Sequence, residues 1–266
     1  MTELNYSVLF PFEKNFDEQS FHKWMQENWC QCFWFSGLYV VVIFGSKYYM
    51  EKRQRFEIRE LLALWSAILA AFSIFGAART IPEFVHALTQ HGFHYSVCSP
   101  SFFSGPTAFW AAVFAISKVY ELGDTVFIVL RKQQLIFLHW YHHITVLIYA
   151  WMCYLEHTGP GRWFMVMNYT VHSFMYTYYA LKALRFNIPR QVNVVITAMQ
   201  LMQMVIGTGI NIWTYHLKSQ GKDCQQSYRN LHYSLLMYSS YFVLFSIFFY
   251  NTYIKPKPKS KSVKAE

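Results

Sequence analysis

The chain has 266 residues, of which 54% are hydrophobic and 20% aromatic, while only 14% are charged. So few charges cannot cover a water-soluble domain of this size, and the composition predicts a protein embedded in a lipid bilayer. The net charge of +9 lies largely in short segments beside apolar runs, which argues against a nucleic-acid partner, and five cysteines without CxxC spacing argue against a zinc ribbon.

Seven apolar segments are long enough to cross a membrane, since a helix needs roughly 20 apolar residues to do so. We therefore predict an all-α, polytopic membrane protein with seven transmembrane helices. In chain order the segments are 33–50, 61–78, 107–130, 135–155, 163–183, 191–213 and 234–254. None contains a proline, which favours continuous helices over the broken helices of many transporters. The N-terminus lacks the pattern of a removable signal peptide, so the first span is expected to act as the anchor.

Most of the 23 lysines and arginines fall in alternate loops on one side of these spans. Basic residues favour the cytosol, so residues 1–32 are predicted to be lumenal and residues 33–254 to form the membrane catalytic domain. Residues 255–266 are rich in lysine and proline and are expected to form a disordered cytosolic tail. The sequon at Asn5 should accept a glycan in the lumen, whereas the sequon at Asn168, inside span five, should stay bare.

Charged side chains at membrane depth are costly and usually mark a functional site. Three of them recur at every third position of span three and share one helix face: Lys118, Glu121 and Asp124. They could pair with one another, and the structural alternative is a charge network that only locks helices together. In span four, three histidines at i, i+3 and i+4 face one side: His139, His142 and His143. The structural alternative is that these histidines only form hydrogen bonds to neighbouring helices.

Spans five and six carry further polar residues at a similar depth. His172 shares a stripe with Asn168 and Tyr176, and Gln200 and Gln203 lie on span six, where interhelical hydrogen bonds are the plainer interpretation. With a rise of 1.5 Å per residue, the polar positions of four spans lie roughly 10 to 20 Å from the cytosolic ends. Their agreement in depth predicts one buried site that is entered from the cytosol.

Four segments together point to a known family: KVYELGDT at 118–125, HWYHH at 139–143, HSFMYTYY at 172–179 and TAMQLMQ at 197–203. HxxHH alone also occurs in desaturases and hydroxylases, but HxxMYxYY together with KxxExxDT is far more specific. In this combination and order the segments resemble the signatures of the fatty acid elongases, and the resemblance covers the whole membrane portion.

The resemblance implies a condensing enzyme of the endoplasmic reticulum. Such an enzyme joins a long-chain acyl-CoA, of about sixteen carbons and saturated or monounsaturated, to malonyl-CoA and gives 3-oxoacyl-CoA, carbon dioxide and CoA. The implied fold is a barrel of six helices around a narrow acyl tunnel sealed at its lumenal end, with one helix outside. The expected partners are acyl-CoA, malonyl-CoA and the bilayer; contacts with other enzymes of the elongation cycle and homo-oligomers are left open.

Condensation needs a nucleophile or base of near-neutral pKa, and histidine suits that role. We expect His142 to attack the thioester and form an acyl-imidazole, and His172 to activate the second substrate. Asn168, Tyr176, Gln200 and Gln203 are the expected hydrogen-bond donors. The charged residues of span three, with His139 and His143, would orient the reacting groups. Basic residues at the cytosolic mouth are expected to bind the CoA phosphates: Arg131, Lys132, Lys182 and Arg185.

Two other functions compete with this interpretation. A di-iron desaturase or hydroxylase needs about eight histidine ligands, but only four of the 11 histidines lie in the predicted site. We therefore expect no metal and no cofactor. A seven-helix receptor or lipid carrier is the non-enzymatic alternative. The predicted topology also brings Cys98 and Cys224 to the lumen, where we expect them to form a disulfide, with Cys30 and Cys32 as competing partners.

Overall fold

The computed structural model describes Tyr6 and residues 8–255, and within that range every regular element is a helix. The sequon residue Asn5 and residues 256–266 of the predicted tail lie outside the described residues. The helices are α1 (Pro11–Lys14), α2 (Glu18–Asn28), α3 (Gln31–Met50), α4 (Arg59–Cys98), α5 (Gly105–Glu121), α6 (Gly123–Leu130), α7 (Phe137–Leu155), α8 (Gly161–Ala183), α9 (Arg190–Ser219) and α10 (Tyr228–Phe249). A 3₁₀ turn at Ser101–Phe103 precedes α5, and a π-helical turn at Tyr250–Ile254 extends α10.

Two of the predicted spans differ from the observed helices. Helix α4 continues well past the predicted end at residue 78, with Pro82 inside it and a break at Gly92, where φ is +82°. Glycine adopts that conformation without steric cost. The predicted third span is two helices, α5 and α6, divided at Leu122. The expectation of proline-free, continuous helices is therefore wrong at these two places.

Several helices can cross a membrane by length and composition. Three do so alone, namely α4, α9 and α10 with its π turn, and the pair α2–α3, bent by 60°, makes a fourth if it is one span. Helices α7, of 19 residues, and α8, of 23 residues, carry the polar residues of the predicted site. The chain thus has the all-helical character of a multi-pass membrane protein.

The helices pack mainly in three pairs, with α4 against α8, α9 against the next helix α10, and α5 against α7. In two of these pairs, a glycine lets the two helices approach each other closely. Gly76 of α4 lies directly under the Tyr169 ring, and Gly207 of α9 lies under the Tyr238 ring, so that a Cβ at either position would collide with the aromatic ring. These contacts hold α8 and α10 against the core of the bundle.

One end of the bundle, here called the disulfide end, is closed by covalent and hydrogen bonds. Cys98 and Cys224 form a disulfide with their Cα atoms 4.3 Å apart. Gln225 N donates to Cys98 O at 3.1 Å, and Gly159 N donates to Gln225 O at 2.7 Å. The fully buried Arg162 makes a bidentate ion pair with Glu83, both bonds being 2.9 Å long. The loops at this end therefore form one closed layer, while the competing thiols Cys30 and Cys32 stay free.

The N-terminal segment docks on the same bundle through Glu13. Its buried carboxylate accepts hydrogen bonds from Arg79 at 2.7 and 2.6 Å and from Trp110 Nε1 at 2.7 Å. Burial acts to raise the pKa of Glu13, but the hydrogen bonds from Arg79 and Trp110 outweigh it, and the pKa of this carboxyl is lowered. Glu13 is therefore held as a carboxylate that ties α1 to α4 and α5.

Candidate active site

A wide cavity of about 430 Å³ lies among α4 to α10. Ten of the side chains predicted for catalysis line it: Glu121, Asp124, His139, His142, His143, Asn168, His172, Tyr176, Gln200 and Gln203. Lys118, the remaining predicted residue, lies behind this wall and is 1% exposed. The four motifs therefore converge on one space, as their agreement in depth predicts.

Lys118 anchors a buried hydrogen-bond network. Its Nζ donates to Glu121 Oε1 at 2.7 Å and to Asn168 Oδ1 at 2.8 Å. An ammonium only donates, so the Asn168 amide nitrogen must face His172 Nε2, which lies 3.1 Å away and accepts the bond. The proton of a neutral His172 ring is then on Nδ1, 3.8 Å from Glu121 Oε2. The network thus fixes both the position and the tautomer of His172.

Asp124 belongs to a different set of contacts. Its carboxylate accepts hydrogen bonds from Trp65 Nε1 at 2.6 Å and from Tyr176 OH at 2.7 Å. The predicted pairing among the three charged residues thus holds for Lys118 and Glu121 and not for Asp124. The reason is the break at Leu122, which places Asp124 on a separate helix.

The three histidines of α7 have different neighbours although all of them line the wide cavity. His139 Nε2 lies 2.9 Å from Thr125 Oγ1, which also bonds Tyr39 OH at 2.6 Å. His143 is buried against His139, and its Nδ1 has no hydrogen-bond partner among the described residues. The His142 ring packs near Tyr241 and makes no ring-nitrogen hydrogen bond within the described part of the chain. Two histidines are thus tied into helix packing, while His142 faces open space.

A second, narrow cavity of about 60 Å³ adjoins the wide one. The two share four lining residues: His142, Asn168, Gln203 and Met204. The other walls of the narrow cavity are mostly apolar and aromatic, and they include Phe102, Phe103, Tyr154 and Gly161 near the disulfide end. His142 therefore lies where a polar space meets an apolar one.

The opposite end of the bundle, here called the basic end, carries the residues predicted to bind phosphates. Arg131 and Lys182 line the wide cavity, and so does Arg59, which was not among the residues predicted for the site. Lys132 does not reach the cavity, because its Nζ donates to the carbonyl oxygens of residues 51 and 53 at 3.2 and 2.9 Å. Arg185 is exposed and also lies outside the cavity lining. Two of the four predicted residues are therefore not in the cavity wall.

Sequence reasoning missed several residues that support the site. Trp65 holds Asp124, Tyr39 holds Thr125, and Tyr241 donates to the His142 carbonyl oxygen at 3.2 Å. Each is an aromatic residue with one polar atom, and such an atom usually makes a hydrogen bond when the side chain is buried. Thr125 lies inside the motif at 118–125, so its motif position was the one available signal.

Fold and site together define a membrane enzyme whose cavity suits a substrate with one polar and one apolar end. The family model described as ELO: GNS1/SUR4 family matches residues 24–261. The chain is 55% identical over 256 residues to very long chain fatty acid elongase 6 of Drosophila melanogaster, an alignment that covers 95% of this chain and 81% of that protein. For the Gallus gallus protein of the same name, identity is 49% over 265 residues, with 98% and 100% covered.

The Homo sapiens relative of the same name is 48% identical over 268 residues, with 99% of this chain and 100% of the relative covered. The chain belongs to the ELO, GNS1/SUR4 family, and the predicted membership of the fatty acid elongases is confirmed. It is an enzyme of fatty acid elongation, and as a member of that family it takes acyl-CoA substrates at a membrane.

Proposed function

We propose that the chain catalyses the condensing step, in which long-chain acyl-CoA and malonyl-CoA give 3-oxoacyl-CoA, carbon dioxide and CoA. The observation that carries this proposal is the position of His142 between the wide polar cavity and the narrow apolar cavity. An acyl-CoA has a phosphorylated head and an apolar chain joined by a thioester. With the head in the wide cavity and the chain in the narrow one, the thioester lies beside His142.

In the first half-reaction, a neutral His142 ring nitrogen attacks the thioester carbonyl carbon. The carbon–sulfur bond breaks, CoA leaves as a thiolate that takes up a proton, and an acyl-imidazole remains. The free lone pair of His142 supports this role, since its ring nitrogens make no hydrogen bond with the described residues. Asn168 and Gln203 line both cavities and so flank the carbonyl oxygen on which negative charge develops.

In the second half-reaction, malonyl-CoA loses carbon dioxide and its α-carbon attacks the acyl group. The carbon–nitrogen bond to His142 breaks, the leaving imidazolate takes up a proton from solvent to restore the neutral imidazole, and the 3-oxoacyl-CoA is released. His172 Nδ1–H is the donor suited to the malonyl thioester oxygen, because the Lys118 network fixes its tautomer. Tyr176, held by Asp124, and Gln200 supply further donors at the cavity wall.

The substrate head is expected to meet basic groups at the mouth. Arg59, Arg131 and Lys182 surround the wide cavity at the basic end, and guanidinium groups bind phosphate oxygens in bidentate geometry. Saturated or monounsaturated acyl chains of about sixteen carbons are the proposed substrates. The narrow cavity, which extends toward the disulfide end, is proposed to limit the length of the acyl chain.

For the membrane arrangement we propose seven spans, six of them around the tunnel, in the endoplasmic reticulum membrane. The proposal rests on α3, α4, the pair α5–α6, and α7 to α10, each of which contains all or most of one of the seven apolar segments, although α4 extends well beyond its segment and α5–α6 is broken at Leu122. The basic end would face the cytosol and the disulfide end the lumen, where an oxidising environment favours the disulfide. Residues 1–32 would be lumenal with a glycan on Asn5, and residues 255–266 cytosolic.

Catalysis is proposed to need no metal. Of the four histidines at the site, His139 is bonded to Thr125 and His172 to Asn168, so that two of the available ring nitrogens are already engaged. A di-iron centre needs more histidine ligands than this set offers. A chelator should therefore leave the initial rate unchanged, whereas loss of the rate together with stoichiometric iron would favour a desaturase.

The test is product formation by the purified full-length protein, reconstituted in liposomes with acyl-CoA of twelve to twenty carbons. Labelled malonyl-CoA should give 3-oxoacyl-CoA two carbons longer than the substrate, with His142→Ala as the inactive control. Oxidised or unsaturated product without malonyl-CoA would contradict the proposal in favour of a desaturase. Saturable acyl-CoA binding without any product would contradict it in favour of a carrier.

A further inference from the structure

We propose that Glu18, His22 and His157 form a zinc site at the disulfide end, outside both cavities. One ligand atom from each side chain lies within 4.8 Å of the others, and this is the one such group found in the described part of the chain. His157 Nε2 lies 2.8 Å from Glu18 Oε1. Yet that nitrogen makes no properly oriented hydrogen bond to any described residue. The two groups form an ion pair when His157 is protonated, and with His157 neutral the nitrogen lone pair and the carboxylate can both bind a cation.

The contacts of His22 set its tautomer. His22 Nε2 lies 2.9 Å from Leu155 O, and a carbonyl oxygen can only accept, so Nε2 carries the proton. Nδ1 is then the nitrogen with a free lone pair. A histidine that binds a metal usually donates its other N–H to a carboxylate or a backbone carbonyl, as His22 does here. The structure therefore presents His22 in a form ready to coordinate a cation.

His157 is held in an unusual conformation. Its φ is 48°, in the left-handed region that residues with a Cβ rarely adopt. The ring is stacked between His22, at a centroid distance of 4.0 Å, and Phe103, at 4.1 Å. His157 is the left-handed residue that ends α7, since its N–H donates to Tyr154 O and the Thr158 N–H donates to Cys153 O, both at 3.1 Å. This helix cap and the stacking place the His157 ring beside Glu18.

The chemistry of the three ligands selects the metal. Two imidazoles and one carboxylate, with water in a fourth position, form a common zinc site, whereas calcium prefers oxygen ligands alone. Zinc bonds of roughly 2.0 to 2.2 Å put ligand atoms roughly 3.3 Å apart, so the three ligand atoms must draw together from within 4.8 Å and the stacked His22 and His157 rings must turn to direct their lone pairs at the ion. The Glu18 and His157 side chains are 20% and 24% exposed, which leaves a path for the ion and its water.

The site would couple the N-terminal segment to the closed end of the narrow cavity. Glu18 and His22 belong to α2, while His157 follows α7. Phe103, which stacks on His157, and Tyr154, whose OH donates to Glu18 at 3.4 Å, both line the narrow cavity. Zinc at this point would stabilise the layer that closes the narrow cavity, without touching His142.

The probe is the metal alone, added to full-length protein that was purified through a tag without histidine and stripped with a chelator. We expect one Co²⁺ per chain, with the visible absorption bands of a tetrahedral site, displaced by Zn²⁺. Zinc should also raise the midpoint of thermal unfolding, because a ligand that binds only the folded state stabilises it. Each ligand is replaced in turn by glutamine, in the variants His22→Gln, His157→Gln and Glu18→Gln. Every variant should bind cobalt roughly tenfold or more weakly and should show no zinc-dependent increase in the midpoint of thermal unfolding.

The matched control is His232→Gln, which changes an exposed histidine of α10 at the same end of the bundle and should bind cobalt as the unchanged chain does. Glu18→Gln keeps the side-chain shape, so it tests coordination even if a histidine variant fails to fold. Absence of saturable cobalt binding, or equal affinity in all three ligand variants and the control, would overturn the proposal. The condensation assay with chelator is a separate measurement, and its outcome bears on the proposed catalysis and not on this site.

Discussion

The two cavities differ in size, polarity and origin. The wide cavity, of about 430 Å³, has histidine, carboxylate, amide and arginine side chains among the apolar ones in its wall, whereas the narrow one, of about 60 Å³, is walled mainly by aromatic and aliphatic groups. Buried polar groups are costly unless they are hydrogen-bonded, and the wide cavity meets that cost with the networks of Lys118 and Asp124. The narrow cavity needs no such networks. In the proposed function, the wide cavity holds the reacting groups and the narrow cavity holds the apolar chain.

The Lys118–Glu121 pair illustrates the difference. It lies in the bundle interior, with side-chain exposures of 1% and 4%. A well-packed apolar pair would serve stability as well or better, since desolvation of two charges largely offsets their attraction. Its contribution is therefore the orientation of Asn168 and, through it, of His172. No comparable group is found among the described residues that line the narrow cavity away from the shared residues.

The largest effect is expected at the junction of the cavities. His142→Ala should lower kcat by at least roughly 10³-fold, because the nucleophile is lost while the hydrogen-bond donors remain. His139→Ala should lower kcat less, since His139 is hydrogen-bonded to Thr125 and affects the reaction only by positioning other groups. Steady-state rates and size-exclusion profiles of both variants provide the measurement. If His142→Ala keeps a tenth of the activity, the assignment of the nucleophile is wrong.

The next effect concerns the charged wall of the wide cavity. Lys118→Met should destabilise the protein by roughly 3 to 5 kcal/mol, because Glu121 is left buried without a counter-charge. Adding Glu121→Leu should restore much of the stability but not the activity. As a control, Arg55→Met removes an exposed pair with Glu57, and such pairs contribute at most about 1 kcal/mol. Unfolding in a mixed-detergent series measures all of these, and equal losses for Lys118 and Arg55 would contradict the account.

A substitution in the narrow cavity should alter the selectivity for acyl-chain length without impairing the reaction itself. Ala150 lines the narrow cavity, and Ala150→Leu would fill part of its volume. The kcat/KM for the longest accepted acyl-CoA should fall by roughly tenfold or more, as a one-methylene misfit does in other pockets, while shorter chains are converted as before. Ala71→Leu, at an exposed position of α4, is the control. A uniform loss for all chain lengths would show that the cavity does not measure the acyl chain.

The smallest effect is expected at the basic end. Arg131→Ala should raise the KM for acyl-CoA by roughly tenfold, the equivalent of one charge-assisted hydrogen bond. Arg185→Ala should change it less than about twofold, because this exposed side chain lies outside the wide cavity and interactions of exposed charges are screened. Initial rates at varied acyl-CoA and fixed ionic strength provide the measurement. A larger effect at Arg185 would show that the substrate head binds outside the cavity.

The two cavities also differ in how much of them the sequence predicts. The residues of the wide cavity stand out because charged and histidine side chains are rare in apolar spans. The lining of the narrow cavity, such as Ala150 and Met237, has the same composition as a lipid-facing surface, so no pattern separates the two. Only packing in three dimensions tells which apolar face is enclosed.

The remaining errors have local causes. The helix break at Leu122 removes Asp124 from the Lys118 network, and nothing in the spacing of the motif indicates a break. Helix α4 continues through Pro82 although proline and polar residues made that stretch resemble a loop. Trp65 contacts Asp124 from a distant helix, and such a pairing depends on the packing of α4 against the rest of the bundle. The all-helical membrane character and the polar residues of the wide cavity were predictable, and these tertiary contacts were not.

Covalent catalysis at the junction of the cavities is the central claim, and one incubation tests it most directly. The purified protein is mixed with acyl-CoA alone, and free CoA and intact protein mass are followed together. The account predicts one equivalent of CoA released without malonyl-CoA and a protein heavier by one acyl group, on the peptide that contains His142, with both signals absent in His142→Ala. If no CoA appears and no mass shift develops until malonyl-CoA is added, His142 acts as a general base and the covalent mechanism is contradicted.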